Sequence, residues 1–258
     1  MPAASTSTSI LDDAQLDRYA RHIVLPELGG EGQRRLLSAR IVVVGAGGIG
    51  SPAIQYLAAA GVGRLTIVDD DRVDLTNLQR QTLYRTADIG QGKARLAKRR
   101  VEALNPDVEV QAFECRIGPD NGAGLIEGAD AVLDGSDNFP TRLAVADAAL
   151  RMRVPLVSAS VAGFEGQLAT YRGWEADKPC YRCLVGGDPA LPERSCADQG
   201  VLGALAGVMG SLAALEAIRV VAGFGEDMAG RLLLVEALGL RMRTVGVPKD
   251  PGCPACGG

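Results

Sequence analysis

The sequence predicts an α/β protein built on a doubly wound, mostly parallel sheet, and three observations carry that prediction. Apolar runs of strand length alternate with segments of helical spacing, a glycine-rich turn joins the first run to the helix behind it, and carboxylates close several of the runs. Residues 1–12 are expected to form a flexible tail, since "MPAASTSTS" has neither the apolar stretch nor the basic flank of a signal peptide. The first strand is expected at 40–44, where "RIVVV" is apolar on both faces, as a buried parallel strand must be. A helix over 48–60 follows, then a strand over 64–68, a helix over 92–105 and a strand over 108–113. Next come a short helix at 125–128, a strand over 131–134, a helix over 138–151 and a strand over 155–159. After Ser160 the pattern changes to hairpin-like pieces, 167–172 and 231–236, around a long helix over 201–222, so antiparallel strands should extend the sheet. Gly203, Gly207 and Gly210 on that helix are expected to admit another backbone closely. No repeat or shift of composition divides 13–258, which reads as one domain.

A chain of 258 residues, 47% of them hydrophobic, can bury a sizeable core. A net charge of −4 without a long basic run argues against a general nucleic-acid or membrane-surface binder. The uncharged stretch 201–215 falls short of the roughly 20 residues a membrane span needs, and Glu216 and Arg219 follow it at once. It reads as a buried helix, and a cytoplasmic protein is the expectation.

The turn after the first strand carries Gly45, Gly47 and Gly50 in the spacing of a Rossmann-like nucleotide loop. Gly45 permits the tight turn, Gly47 lets phosphate approach the backbone, and Gly50 lets the helix pack near the strand, its N-terminus favouring an anion. Asp69 ends the second strand, where a carboxylate can accept bonds from ribose hydroxyls. These features point to a nucleotide without separating NAD from ATP. A reacting triphosphate needs fixed cations where charge accumulates, and Arg80, in "DLTNLQRQ", and Lys93, in "GQGKARLAKRR", could supply them or else be solvated surface charges. In "VLDGSDN", Asp134 closes a strand and Asp137 follows in the loop. One of the two could hold Mg²⁺ through its carboxylate, although a helix cap would also account for Asp137.

Two further cysteine pairs, Cys180 and Cys183 in "CYRC" and Cys253 and Cys256 in "CPAC", have the spacing of a four-thiolate structural zinc site. Redox pairs or disulfides are the alternatives; a closed four-cysteine site leaves no open position for catalysis. Such a C-terminal zinc knuckle would tie the end of the chain to its middle. Cys115 reads as a core thiol of the third strand region.

"RYARHIVL", "VVGAGGIGSPAIQYLAAAGVG", "DDDRVDLTNLQRQTLY", "IGQGK", "DGSDN", "PCYRC", "GVMGSLAALEAIR" and "PGCPACG", spread from Asp13 to Cys256, resemble the MoeB/ThiF/HesA-type adenylyltransferases, relatives of the ubiquitin-activating enzymes. The resemblance implies a homodimer that uses ATP and Mg²⁺ to adenylate the C-terminal glycine of a ubiquitin-like sulfur-carrier protein ending in Gly-Gly. It places ATP on Gly45, Gly47, Gly48 and Gly50, the ribose on Asp69, Asn77, Arg80 and Lys93 at the phosphates, Mg²⁺ on Asp137, and Arg21 across the dimer on the partner's triphosphate. His22, the only histidine, reads as a packing or interface residue. Cys196, in "RSCADQGVLG" near Arg194, matches a cysteine that links covalently to the carrier in some relatives and is dispensable in others. The chain stops after the second knuckle, so sulfur is expected from a separate donor, and Gly257 and Gly258 are expected to fray. A nicotinamide-dependent dehydrogenase, a non-catalytic scaffold, and an enzyme that adenylates a small molecule or modified tRNA base are the competing readings; the first leaves the cysteine pairs and the Asn77 to Gln81 loop unexplained.

Overall fold

A computed structural model describes residues 11–186 and 200–257. Strands β1 (Arg40–Val44), β2 (Arg64–Val68), β3 (Glu109–Phe113), β4 (Ala131–Asp134), β5 (Leu156–Ala162), β6 (Glu165–Tyr171), β7 (Arg231–Glu236) and β8 (Arg241–Gly246) form one sheet. Their order is β3-β2-β1-β4-β5-β6-β7-β8. Pairing is parallel from β3 to β5 and antiparallel from β5 to β8. Chain order reverses direction between β1 and β4, which opens a crevice at their carboxyl ends.

Helices α1 (Asp13–Arg18), α2 (Ala20–Ile23), α3 (Gly29–Ser38), α4 (Gly50–Ala59), α5 (Lys93–Leu104), α6 (Gly122–Ile126), α7 (Phe139–Met152), α8 (Tyr181–Val185) and α9 (Gly203–Ala222) complete the described fold. Alternate strand positions feed two cores. Ile41 and Val43 of β1 meet Leu36, Ile54, Leu57, Leu96 and Met209 on one face. Val42 and Val44 meet Val132, Ile126, Val145, Tyr171 and Tyr181 on the other. Each large side chain so buried contributes about 1.5–3 kcal/mol.

The expected elements are present; α3 and the short α8 were not expected, and four further differences follow. Asp12, assigned to the tail, is the N-cap of α1, its carboxylate accepting from Gln15 N at 2.8 Å. The short helix expected at 125–128 lies earlier, at Gly122–Ile126, because Asn121 Oδ1 accepts from Gly118 N at 2.8 Å and organises the turn before it, while Gly128 (φ +73°) turns the chain into β4. β5 runs on to Ala162 because β6 pairs with it along its whole length. β8 was missed: all six of its residues are exposed, so no buried face marks it, and it exists through its ladder with β7.

Helix α9 is the one described helix long and apolar enough to cross a membrane, but Leu205, Ala206, Met209, Ala213, Ala214 and Ala217 place it in the first core. It packs on α4, α3, β5 and β6. Of its three glycines, two admit backbone: a Cβ on Gly203 would lie 2.2 Å from Gln79 O, and one on Gly210 would lie 2.2 Å from Ile49 O. Gly207 has nothing within 4 Å. Gly210→Ala should therefore force α9 off α4 and cost about 1–3 kcal/mol. Gly207→Ala should leave stability unchanged or raise it by up to about 1 kcal/mol, by helix propensity. Thermal denaturation of the two variants checks this contrast, and equal effects would contradict the assigned packing.

Candidate nucleotide site and thiolate cluster

The turn from β1 into α4 is held from three sides. Gly45 has φ +86°, a conformation favouring glycine, and a Cβ there would lie 3.1 Å from the Gly135 and Ser136 backbone, so this turn touches the turn after β4. A Cβ on Gly50 would lie 1.9 Å from Gly45 O, so the start of α4 presses on the end of β1. Ala46 N donates to Asp69 Oδ2 at 2.7 Å, and the Tyr84 hydroxyl donates to Ala46 O at 2.8 Å. Asp69 thus holds the loop from the end of β2. Burial raises its carboxyl pKa, while Lys93 and the Ala46 and Asp71 N–H groups oppose the rise.

Lys93 opens α5 and is not a solvated surface charge. Its side chain is 4% exposed, and Nζ lies 2.8 Å from Asp71 Oδ2, on a carboxylate that is 60% exposed. Asp71 N in turn donates to Asp69 Oδ1 at 2.8 Å, so the carboxylate that ends β2 and the ammonium are anchored on one backbone segment. Arg80 packs its Cγ and Cδ against Gly48, and its Nη1 donates to Thr76 O at 3.0 Å. Asn77 belongs to a reciprocal cap: its Oδ1 accepts from Asp74 N at 3.2 Å while Asp74 Oδ1 accepts from Thr76 N at 2.8 Å. Gln81 lies beside Gly47. It is buried, and its Oε1 has no hydrogen-bond partner among the described residues. An orphaned amide oxygen beside the glycine turn fits a site completed by a polar ligand.

After β4 the two aspartates separate in role. Asp134 is buried, and its Oδ1 accepts from Ser136 N at 2.9 Å and Ser136 Oγ at 2.7 Å, which shapes the turn. Asp137 is exposed at the sheet edge. It does not cap α7; Asn138 does, accepting from Thr141 N at 3.0 Å. Asp137 is therefore the carboxylate available to a cation. Sequence reasoning missed Arg142, which reaches back over this turn, and Asp71, the partner of Lys93. Asp71 was hidden in a run of three aspartates, and Arg142 in an ordinary helix.

The four cysteines converge. Cys180 Sγ lies 3.8 Å from Cys183 Sγ and 3.6 Å from Cys253 Sγ, and Cys183 Sγ lies 3.4 Å from Cys256 Sγ. All four sulfurs lie within 4.8 Å of one another. A tetrahedron of about 2.3 Å Zn–S bonds has S–S edges of about 3.8 Å, so the set fits zinc, whereas a disulfide needs sulfurs about 2.05 Å apart. Burial raises the Cys180 thiol. At Cys253 burial is opposed by the N–H groups of Ala255 and Cys256 and by hydrogen bonds from Cys180 and Cys183, which together bring the thiol down to about 7. Gly257 is not frayed, since its N–H donates to Cys253 O at 2.8 Å and closes the knuckle.

The remaining residues lie apart or outside view. Arg21 is exposed on α2. His22 Nδ1 is 3.0 Å from Oε1 of the buried Gln33, a packing role. Cys115 lies just beyond β3 and is only half-buried against the second core. Cys196, Arg194 and Gly258 lie outside the described residues. For the thiolate cluster the expected outcome is one zinc per chain by metal analysis, lost together with several degrees of melting temperature in Cys253→Ser. Metal-free wild-type protein with the same melting temperature would contradict it.

The profile of the ThiF family matches residues 19–255. The sulfur carrier protein adenylyltransferase of Thermus thermophilus is 48% identical over 249 residues, 94% of this chain and 91% of that protein. The SAMP-activating enzyme E1 of Haloferax volcanii is 48% identical over 97% of this chain and 92% of that protein. The sulfur carrier protein ThiS adenylyltransferase of Escherichia coli is 41% identical over 96% of this chain and 98% of that protein. Among solved structures, E. coli MccB superposes with a TM-score of 0.80 at 23% identity, covering 93% of this chain and 72% of that one, a likeness of fold. With the turn, the acidic edge and the paired knuckles in place, the chain belongs to the ThiF family.

Proposed function

We propose that this protein adenylates the C-terminal glycine carboxylate of a small ubiquitin-like sulfur-carrier protein, using ATP and releasing pyrophosphate. The observation that carries the reading is Lys93. A dinucleotide pyrophosphate on a helix N-terminus needs little side-chain charge. An ammonium withdrawn from water beside the phosphate turn suits a triphosphate whose bonds are to be broken.

In the reaction, a carboxylate oxygen of the glycine attacks the α-phosphorus, and the bond from that phosphorus to the β-phosphate bridging oxygen breaks. An acyl-adenylate and pyrophosphate result. A terminal carboxyl has a pKa of about 3.3–3.7 and is ionised at neutral pH, so no general base is needed. What the site must supply is positioning and positive charge. Gly45, Gly47, Gly48 and Gly50 open the backbone to the phosphates, Asp69 accepts from the ribose, and Asn77, Arg80 and Lys93 border the phosphates. Asp137 would hold Mg²⁺, whose contribution is charge neutralisation on the triphosphate. Arg21 is exposed, as a residue reaching a partner subunit's nucleotide in a homodimer must be. The cysteine cluster, occupied by zinc, fixes structure, and a reducing cytoplasm suits cysteines that form no disulfide. Residues 13–258 act as one adenylation domain, and sulfur reaches the activated carrier from a separate donor. Whether Cys196 joins covalently to the carrier is read from a non-reducing gel of the complex.

ATP–pyrophosphate exchange with Mg²⁺ and a panel of purified carriers ending in Gly-Gly is the test. Exchange should appear with one carrier and be absent without any. Lys93→Ala and Asp137→Ala should each lower the rate by at least about 10²–10³; a cooperative melting transition should remain in both, shifted down in Lys93→Ala because the buried Asp69 carboxylate loses its largest compensating charge while Asp71 stays open to water. Undiminished exchange in either variant would remove that residue from the site, and ATP binding without exchange for any carrier would favour a small-molecule substrate.

A further inference from the structure

Arg142 lies one turn into α7 and is half-buried. Its Nη2 donates to the carbonyls of Ser136 and of Ala159, the latter at 2.8 Å, and its Nη1 lies 3.4 Å from Ser158 Oγ. No carboxylate pairs with it among the described residues, so the charge rests on carbonyl and hydroxyl oxygens alone. One guanidinium thus ties the turn after β4 to the neighbouring strand β5. A planar fork can bridge these diverging oxygens, whereas the point charge of a lysine cannot. The bridged turn is Asp134 to Asn138, with Asp137 between the Ser136 carbonyl that Arg142 holds and the Asn138 cap.

Arg142 also neighbours the segment that carries the first cysteine pair. Tyr181, between Cys180 and Cys183, stands beside the guanidinium. Its ring meets Tyr171 edge-on at 5.6 Å and Phe139, the first residue of α7, at 6.4 Å. The next residue, Arg182, clasps Asp147 of α7 through two bonds of 2.7 Å. The knuckle helix α8 is thereby fastened along α7, from Phe139 beside the Asp137 turn to Asp147 in the helix's second half.

We propose that Arg142 is a positioning residue that holds the Asp134–Asn138 turn in the shape placing Asp137 at the sheet edge, and that Tyr181 couples this hold to the cysteine knuckle. The proposal rests on the reading of Asp137 as the Mg²⁺ ligand. Its action goes through Asp137, so Arg142→Lys should lower Mg²⁺ affinity while leaving recognition of the carrier alone.

The test titrates ATP–pyrophosphate exchange with Mg²⁺ for wild type, Arg142→Lys, Tyr181→Phe and Asp137→Asn, with carrier KM, zinc content and melting temperature recorded for each. Arg142→Lys should raise the Mg²⁺ concentration for half-maximal exchange by roughly tenfold, the scale found for residues behind a metal ligand. Excess Mg²⁺ should restore the rate, and carrier KM should not move. Tyr181→Phe should shift the Mg²⁺ profile the same way by less, with zinc retained, and it keeps the test open if the lysine variant does not fold. Adding Arg142→Lys to Asp137→Asn should cost nothing further, the non-additivity of residues acting on one interaction. A wild-type Mg²⁺ profile in both single variants, with Asp137→Asn inactive, would overturn the proposal and leave the reading of Asp137 standing. Undiminished exchange in Asp137→Asn would overturn that reading, and the proposal with it.

Discussion

The site depends on one carboxylate accepting two backbone N–H groups. Asp69 takes Ala46 N on one oxygen and Asp71 N on the other, so the glycine turn and the segment that anchors Lys93 are positioned by a single charged group. Burial works against its ionisation, and Lys93 is the largest opposing influence. The arrangement is mutually dependent: a neutral Asp69 would be a poorer acceptor for both N–H groups, and without Lys93 the buried carboxylate would lose its nearest compensation. A cation and an anion held in one low-dielectric pocket stay poised only while the backbone between them is fixed. The close approach of Gly50 to Gly45 and the Tyr84 hydroxyl on Ala46 fix it.

Most of the parallel half was legible because burial on both faces writes itself into composition. "RIVVV" could be little else than a central strand, and β1, β2 and β4 fall where the pattern puts them. β8 escaped for the opposite reason, since an exposed edge strand is defined by its ladder with a neighbour and imposes no apolar period on its own residues. The same division runs through the site. Glycines and cysteines were readable because their chemistry fixes their spacing. Asp71 and Arg142 were not, because a residue whose partners are a distant lysine or two carbonyl groups carries no local signature. Asp137 shows the intermediate case, where the sequence left a cap open beside a ligand and the geometry of Asn138 removed the cap.

The antiparallel extension gives the cysteine knuckle its mechanical meaning. β5 turns back into β6 around Gly163, and the sheet then grows by strands that come from the far end of the chain. Such long-range pairing has a high closure cost in the unfolded chain. A cluster joining Cys180 and Cys183 to Cys253 and Cys256 shortens that loop, and Lys249 Nζ, donating to Gly173 O at 2.8 Å and Glu175 O at 2.9 Å, adds a second tie between the same segments.

A reaction that needs no proton transfer at the nucleophile changes what the protein must hold still. Where a histidine acts as base, its pKa and tautomer set the rate; here the only histidine is engaged with Gln33, away from the turn. The barrier on the proposed reading is the approach of a carboxylate to a phosphate already carrying negative charge. Fixed cations lower it only if they need not reorganise when the charge shifts. Lys93 meets that condition in a particular way. Its ammonium is enclosed, yet its partner Asp71 is open to water, so the carboxylate can be re-solvated at little cost when a phosphate oxygen takes its place. A pair buried at both ends would resist that exchange, and a lysine exposed at both ends would carry a hydration shell into it. One enclosed cation facing one exposed anion gives a charge preorganised before the nucleotide arrives and transferable once it does.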